Sequence, residues 1–345
     1  MRIPTSLCLG AALALAVTAA SAEELTAFYV PWEKPALASL KAHVNDIDVF
    51  APFWGSLVAP SGKIVWEEDP EAHLVLREAT RRPKVMPMLS NAHDDIWDVK
   101  AAEAVILNPT AAAAFAQGLI DHAKADNLAG VVMDFENLTP RAVAGYPAFL
   151  KTLRQRLNAA GLEVWVTSTI TNTDGLPPDL ADDVDAVVLM AYDQCWATSH
   201  PGPIAADAWL KANLTAKLGS RDPKRYVVAL ASYAYDWPQG GKATVVSAAK
   251  ARQIAAANHA KVVHVPGSNP HFTYQAGAVR HDVWWVGGAD VARQRAMLAP
   301  MGVRGVALWR MGLEDAAVWS AKVEAPASVQ AAPLGQAASC EPLRP

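Results

Sequence analysis

From Leu25 onward the chain alternates short, continuously apolar runs with longer stretches whose apolar residues recur every three or four positions. The runs are LTAFYV (25–30), IDVFAPF (47–53), KVMPML (84–89), GVVMDF (130–135), EVWVTST (163–169), AVVLMAY (186–192), YVVALAS (226–232) and GVALW (305–309). Each has the length of a strand, and unbroken apolarity predicts a parallel sheet covered by helices rather than a half-solvated one. Residues 109–126, opening on Pro-Thr, and 141–159 carry the helical period and predict two of the covering helices. Eight strand–helix units over about 300 residues predict an α/β fold, the (β/α)8 TIM barrel, in preference to an open doubly wound sheet.

Three stretches do not fit that alternation. Residues 238–286 hold a Gly-Gly turn, a helical TVVSAAKARQIAAANHA and the strand-like HFTY and HDVWWV, which predicts a small α+β insertion between strands seven and eight. Trp284 and Trp285 are expected in its core. From 324 to 345 the chain is rich in Ala and Pro with little to bury, and a disordered tail is expected. At the other end, Arg2, the apolar stretch Leu7 to Val17 and Ala20-Ser21-Ala22 form a signal-peptide pattern over 1–22. That stretch falls short of the roughly 20 residues of a membrane span. The chain is therefore expected to be exported to the periplasm or outside the cell, with no membrane span once the leader is cleaved. The barrel domain is assigned to 23–323.

Composition narrows the partners. With 52% hydrophobic and 19% charged residues the chain can bury a full core, and losing Arg2 takes its formal charge from −4 to −5. This leaves no electrostatic footprint for nucleic acid. Twelve Trp suit the flat faces of sugar rings, although most Trp in any protein are core. Cys195 and Cys340 lie far apart, one of them in the tail, so no structural disulfide is expected. His43, His73, His93, His264 and His281 show no metal-ligand spacing, and no metal or cofactor is expected. A monomer is expected.

In a barrel the site gathers at the carboxyl ends of the strands. Strand four ends in Asp134 and Glu136, two residues apart and so on one face, with Met133 and Phe135 turned outward. Two desolvated carboxyls close together raise one pKa and keep a proton available near neutrality. A strand-end Asp and Glu that cap the next helix or face solvent are the bland alternative. Strand six ends in Met190, Tyr192 and Asp193; strand eight ends in Trp309. Tyr29, Trp32, Phe53, Trp54, Asn91, Gln194, Tyr233 and Trp237 also fall at or just past strand ends as candidates to line a sugar cleft. From the insertion, Asn269, His271 and Tyr274 are candidates to reach it.

These strand ends resemble the family 18 glycoside hydrolases over roughly residues 25–320. That family carries Asp-x-Asp-x-Glu on strand four, Met-x-Tyr-Asp on strand six and a Trp on strand eight. The resemblance implies that Glu136 is the acid and Asp134 the orienter of the substrate's acetamido group. Tyr192 and Asp193 become its hydrogen-bonding partners, and Trp309 the floor beneath the reacting sugar. One position departs: Val132 stands where the family has its first Asp. GVVMDFENL and GVALWRMGLED look closest to a branch with spore-cortex-lytic glucosaminidases and hydrolase-like modules fused to polysaccharide synthases and deacetylases. The implied function is retaining, substrate-assisted hydrolysis of a glycan containing N-acetylglucosamine, the substrate's N-acetyl oxygen replacing a second carboxylate. Chitin, peptidoglycan and poly-N-acetylglucosamine stay open, as does endo against exo action. Two rivals remain: a non-catalytic sugar-binding barrel, and an accessory module of exopolysaccharide synthesis or export.

Overall fold

The computed structural model describes residues 23–93, 96–320 and 340–343. The predicted leader, 1–22, and most of the predicted tail lie outside the described residues. Eight strands close into a barrel: Glu24–Tyr29, Val49–Leu57, a third strand in two pieces (Lys84–Val85 and Met88–Ser90), Gly130–Asp134, Glu163–Thr169, Ala186–Met190, Tyr226–Ala231 and Gly305–Trp309. Each pairs in parallel with the next, and the eighth pairs with the first. Pro87, with no N–H to give a ladder, lies in the break of strand three.

Alternation along the strands sorts side chains into two cores. Inside the barrel lie Phe28, Val49, Ala51, Met88, Val132, Trp165, Val188 and Ala307. Between barrel and helices lie their neighbours in sequence, among them Tyr29, Phe50, Val131, Met133, Val187 and Leu308. At the amino end of the barrel the Arg304 guanidinium sits 4.6 Å over the Trp165 ring and pairs with Glu24 and Glu163. Against the effect of burial, the hydrogen bond from the Trp165 indole N–H and then the charges of Arg304 and Lys84 hold the Glu163 carboxyl below its ordinary range. The structure thus plugs one end with a charge network and leaves the other for chemistry.

The two helices expected over 109–126 and 141–159 run Pro109–Asp126 and Pro140–Ala159. Asn108 and Thr139 cap them, accepting hydrogen bonds from backbone N–H groups of the first turns, with Pro at the start of each. Not every crossover is a helix: strands five and six are joined through a short 3-10 turn, Pro178–Asp182.

The insertion is an antiparallel sheet of Thr244–Val246, Ala234–Pro238, Val279–Trp285 and His271–Ala276, in that order, packed on the helix Ala248–Ala257. It begins at Ala234, earlier than expected. Thr244–Val246 is a strand instead of the first helical turn, because β-branched residues favour the sheet and Ser247 caps the helix after them. Trp285 is in the small core; Trp284 stacks on His271 outside it, with ring centroids 3.9 Å apart.

Contrary to the sequence expectation, Cys195 and Cys340 form a disulfide. Residues 340–343 follow the loop after strand six: His200 N donates to Glu341 O at 3.0 Å, and Leu343 N to Thr198 O at 2.8 Å. Gly202 leaves room for the bridge, since a Cβ there would lie 2.4 Å from Cys195 Sγ. Sequence distance said nothing about proximity in space. Breaking this link releases a constraint on the unfolded chain worth about 2–4 kcal/mol. Cys340→Ser, or truncation after Glu324, is expected to lower the melting temperature by about 4–10 °C under non-reducing conditions. A shift under a degree or two by calorimetry would show that the end of the chain contributes nothing.

Candidate active site

Asp134 is the last residue of strand four and points into the barrel, 6% exposed, above the fully buried Val132. Thr167 of strand five donates to its Oδ1 at 2.7 Å. No described residue donates to Oδ2. Burial pushes the Asp134 carboxyl up, and the Thr167 hydrogen bond pulls it back toward the charged form. Glu136 lies two residues on, half-buried, and its backbone is clamped by one side chain: its N–H donates to Asn91 Oδ1 at 2.9 Å, and Asn91 Nδ2 donates to its carbonyl at 3.1 Å. The Glu136 carboxyl makes no hydrogen bond to a described residue. Burial first, then the negative charges of Asp134, Asp193 and Asp174, push it well above the ordinary carboxyl range. Of these two coupled acids Glu136 keeps its proton to the higher pH.

Tyr192 and Asp193 follow strand six. Asp193 adopts a positive φ of 59°, which Asp tolerates better than most residues. Its Oδ1 accepts from the hydroxyls of Tyr233 and, at 3.1 Å, Tyr235, so strand seven and the insertion hold this carboxylate. The Tyr192 ring is nearly parallel to Trp309, 15° apart with centroids at 6.4 Å, and Phe28 meets Trp309 edge-on at 5.4 Å. The Tyr192 hydroxyl makes no hydrogen bond within the described chain. Burial and the surrounding carboxylates hold it protonated, well above its ordinary value, and so ready to donate.

These groups open on a cleft of about 1080 Å³. Asp134, Glu136, Tyr192, Asp193, Met190, Gln194 and Trp309 all line it. So do Trp32 and Phe53, together with Trp97, Trp196 and Trp209, which sequence reasoning did not select. Gln194 also ties down its own loop, its Oε1 accepting from Ala206 N at 2.9 Å. Other expected cleft residues lie elsewhere, Asn91 among them, since it holds the Glu136 backbone and does not line the cleft. Tyr29 and Trp54, both 1% exposed, sit on the outer face of their strands, because their neighbours Phe28 and Phe53 occupy the inward positions. Tyr233 stands behind Asp193, whose carboxylate accepts its hydroxyl, and meets the Tyr192 ring edge-on, without lining the cleft itself. Trp237, Asn269, His271 and Tyr274 belong to the insertion and its edges and do not line the cleft.

Among the described residues one group could hold a metal: Glu68, His122 and Asp126 bring ligand atoms within 4.8 Å of one another. It lies outside the cleft lining. Glu68 is already met there by His73 at 2.6 Å and His122 at 2.7 Å.

A carboxyl held above its ordinary range, a second carboxylate, a tyrosine hydroxyl with no partner among the described residues and an indole thus meet at the mouth of a (β/α)8 barrel. The chain belongs to the glycosyl hydrolases family 18, whose model matches residues 63–314. Among its curated relatives is the "uncharacterized glycosylase YvbX" of Bacillus subtilis, 24% identical over 264 residues, covering 70% of this chain and 74% of the relative. A cortical fragment-lytic enzyme of Bacillus anthracis is 24% identical over 275 residues, 72% of this chain and 64% of its own. The crystal structure of a chitinase from Chromobacterium violaceum superposes with a TM-score of 0.79 at 22% identity, over 88% of this chain and 98% of that one.

Proposed function

We propose that this protein is an exported hydrolase that cleaves β-linked glycans containing N-acetylglucosamine, with retention and with the substrate's own acetamido group as nucleophile. The observation that carries this is the division of labour among the carboxyls. Glu136 has a free carboxyl whose surroundings favour the protonated form, Asp134 has one oxygen free, and Asp193 is engaged by two tyrosines. Among the described lining residues the one further carboxylate, Glu67, follows the strand Ile64–Trp66 and is not on a barrel strand.

Glu136 donates its proton to the glycosidic oxygen as that bond breaks. The acetamido oxygen forms a bond to the anomeric carbon, giving an oxazolinium ion and releasing the leaving sugar. Asp134 accepts the amide hydrogen through Oδ2, Tyr192 donates to the acetamido oxygen, and Trp309 supports the distorted ring. The Glu136 carboxylate then takes a proton from water as that water opens the ion, which regenerates the acid. Fully protonated Tyr192 and an apolar wall of Phe28, Met190 and Trp309 keep the reacting atoms out of bulk water.

Export is part of the proposal and rests on the 1–22 pattern together with the Cys195–Cys340 bridge, since disulfides persist in oxidising compartments. Purified protein incubated with chitin oligomers, poly-N-acetylglucosamine, peptidoglycan and plain β-glucan, with products followed by mass spectrometry, is expected to release fragments from at least one N-acetylated polymer and none from glucan. Cleavage of glucan, or of nothing in the panel with Glu136 intact, would overturn the proposal.

A further inference from the structure

The cleft carries a charge pattern that the hydrolytic reaction does not require. Besides Asp134, Glu136 and Asp193 it is lined by Glu67, and among its described lining residues there is no Lys or Arg. Glu67 lies between the end of the strand Ile64–Trp66 and Asp69, which caps the helix Pro70–Glu78. Its backbone is fixed, its N–H donating to Trp54 O at 2.8 Å. Its side chain is exposed and makes no hydrogen bond or ion pair with a described residue. Phe53, the neighbour of Trp54, also faces the cleft and meets the Trp32 indole edge-on at 5.1 Å; Trp32 is 58% exposed. One part of the cleft thus combines an open aromatic face, suited to a sugar ring, with a carboxylate that has no partner of its own.

We infer that Glu67 selects a glycan carrying a free amine on a sugar outside the reacting position, so that the substrate is a partly de-N-acetylated polymer of glucosamine rather than an anionic muramyl glycan. The inference rests on the proposed function and deepens it. The reacting sugar must keep its acetamido group, because Asp134 and Tyr192 are arranged around it. A sugar farther along has no such requirement, and an ammonium there gains a charge-assisted hydrogen bond to Glu67. A lactyl carboxylate meets the opposite situation: like charges, with no Lys or Arg among the described lining residues to compensate them.

The test uses the Glu136→Gln full-length chain, which keeps the cleft without turning substrate over. It is titrated by calorimetry with tetrasaccharides in β-1,4 and β-1,6 series: fully N-acetylated, singly de-N-acetylated at each position, and muramyl-containing. The best amine-bearing isomer is expected to bind about three- to fivefold tighter than its fully acetylated parent, the scale of a partly exposed ion pair. That gap is expected to close in Glu67→Gln and to shrink as salt is raised. The muramyl compound is expected to bind most weakly. Equal affinities across the series, or a gap that survives in Glu67→Gln, would overturn the assignment of Glu67 and leave the hydrolase intact. Failure of every N-acetylated compound to bind would overturn the proposed function as well.

Discussion

Glu136→Gln is expected to lower turnover of the true substrate by at least ~10³-fold while the fold and sugar binding persist, because the proposed proton donor is lost. The substitution is nearly isosteric, and Asn91 holds the backbone of residue 136 rather than its side chain, so the clamp survives. The same carboxyl sets the pH dependence. Burial and three neighbouring acids raise it, and the reactive form is the protonated one, so kcat/KM should fall as pH rises through a value well above the ordinary carboxyl range. Stability moves with the same sign. Between the unfolded and the raised folded pKa the native chain binds the extra proton, so native stability declines as pH climbs through that window. Glu136→Gln lacks that proton and should be at least as stable as the parent above neutrality. Near-normal turnover, or a steep loss of melting temperature, would show that Glu136 is a structural acid.

Asp134→Asn is expected to cost about 10²–10³ in kcat, the scale of losing one preorganised polar contact in the transition state, although Asp134 is not the proton donor. The amide presents a donor where the acetamido N–H needs an acceptor, and the nucleophile is no longer held in its attacking pose. Thr167 can still meet the new side chain, so the barrel should fold normally. Two signatures separate this role from simple loss of structure. Wild-type product should appear first as the β-anomer by proton NMR, and a thiazoline mimic of the oxazolinium ion should inhibit competitively. Initial α-anomer, or efficient cleavage of fully deacetylated polymer, would point to an activated water or another nucleophile.

The barrel was legible because its strands are unbroken apolar runs at regular spacing, and Asp134 and Glu136 because polar residues closing such a run have few other reasons to be there. The inner and outer faces were less so. Side-chain chemistry points to Tyr29 over Phe28 and does not separate Trp54 from Phe53, whereas the closed sheet decides by alternation alone, and counting back from the inward Asp134 through Val132 shows the rule at work. The same count along EVWVTST puts Trp165, Thr167 and Thr169 inward, so the hydroxyl that meets Asp134 could have been found in the sequence. Thr167 also gives Val132 a physical setting: with an apolar residue beneath it, Asp134 is steadied from the side. Asn91 was noticed as a strand-end residue, but its grip on the backbone of Glu136 depends on strands three and four being neighbours. Trp97, Trp196 and Trp209 come from a two-residue strand, a loop and a helix whose paths no periodicity encodes. The Cys195–Cys340 bridge is of the same kind.

That bridge also orders events during biosynthesis. Cys195 lies in the loop that begins with Tyr192 and Asp193, and its partner follows 145 residues later, after strands seven and eight and the whole insertion. A ribosome must therefore pass strand eight and deliver Cys340 before that loop can be fastened. Until then the cleft wall built by Gln194 and Trp196 depends on non-covalent contacts alone. Arrival of Cys340, followed by exposure to an oxidant, becomes the last step in assembling the wall, so the loop beside Tyr192 and Asp193 takes its final form only after every barrel strand has been made.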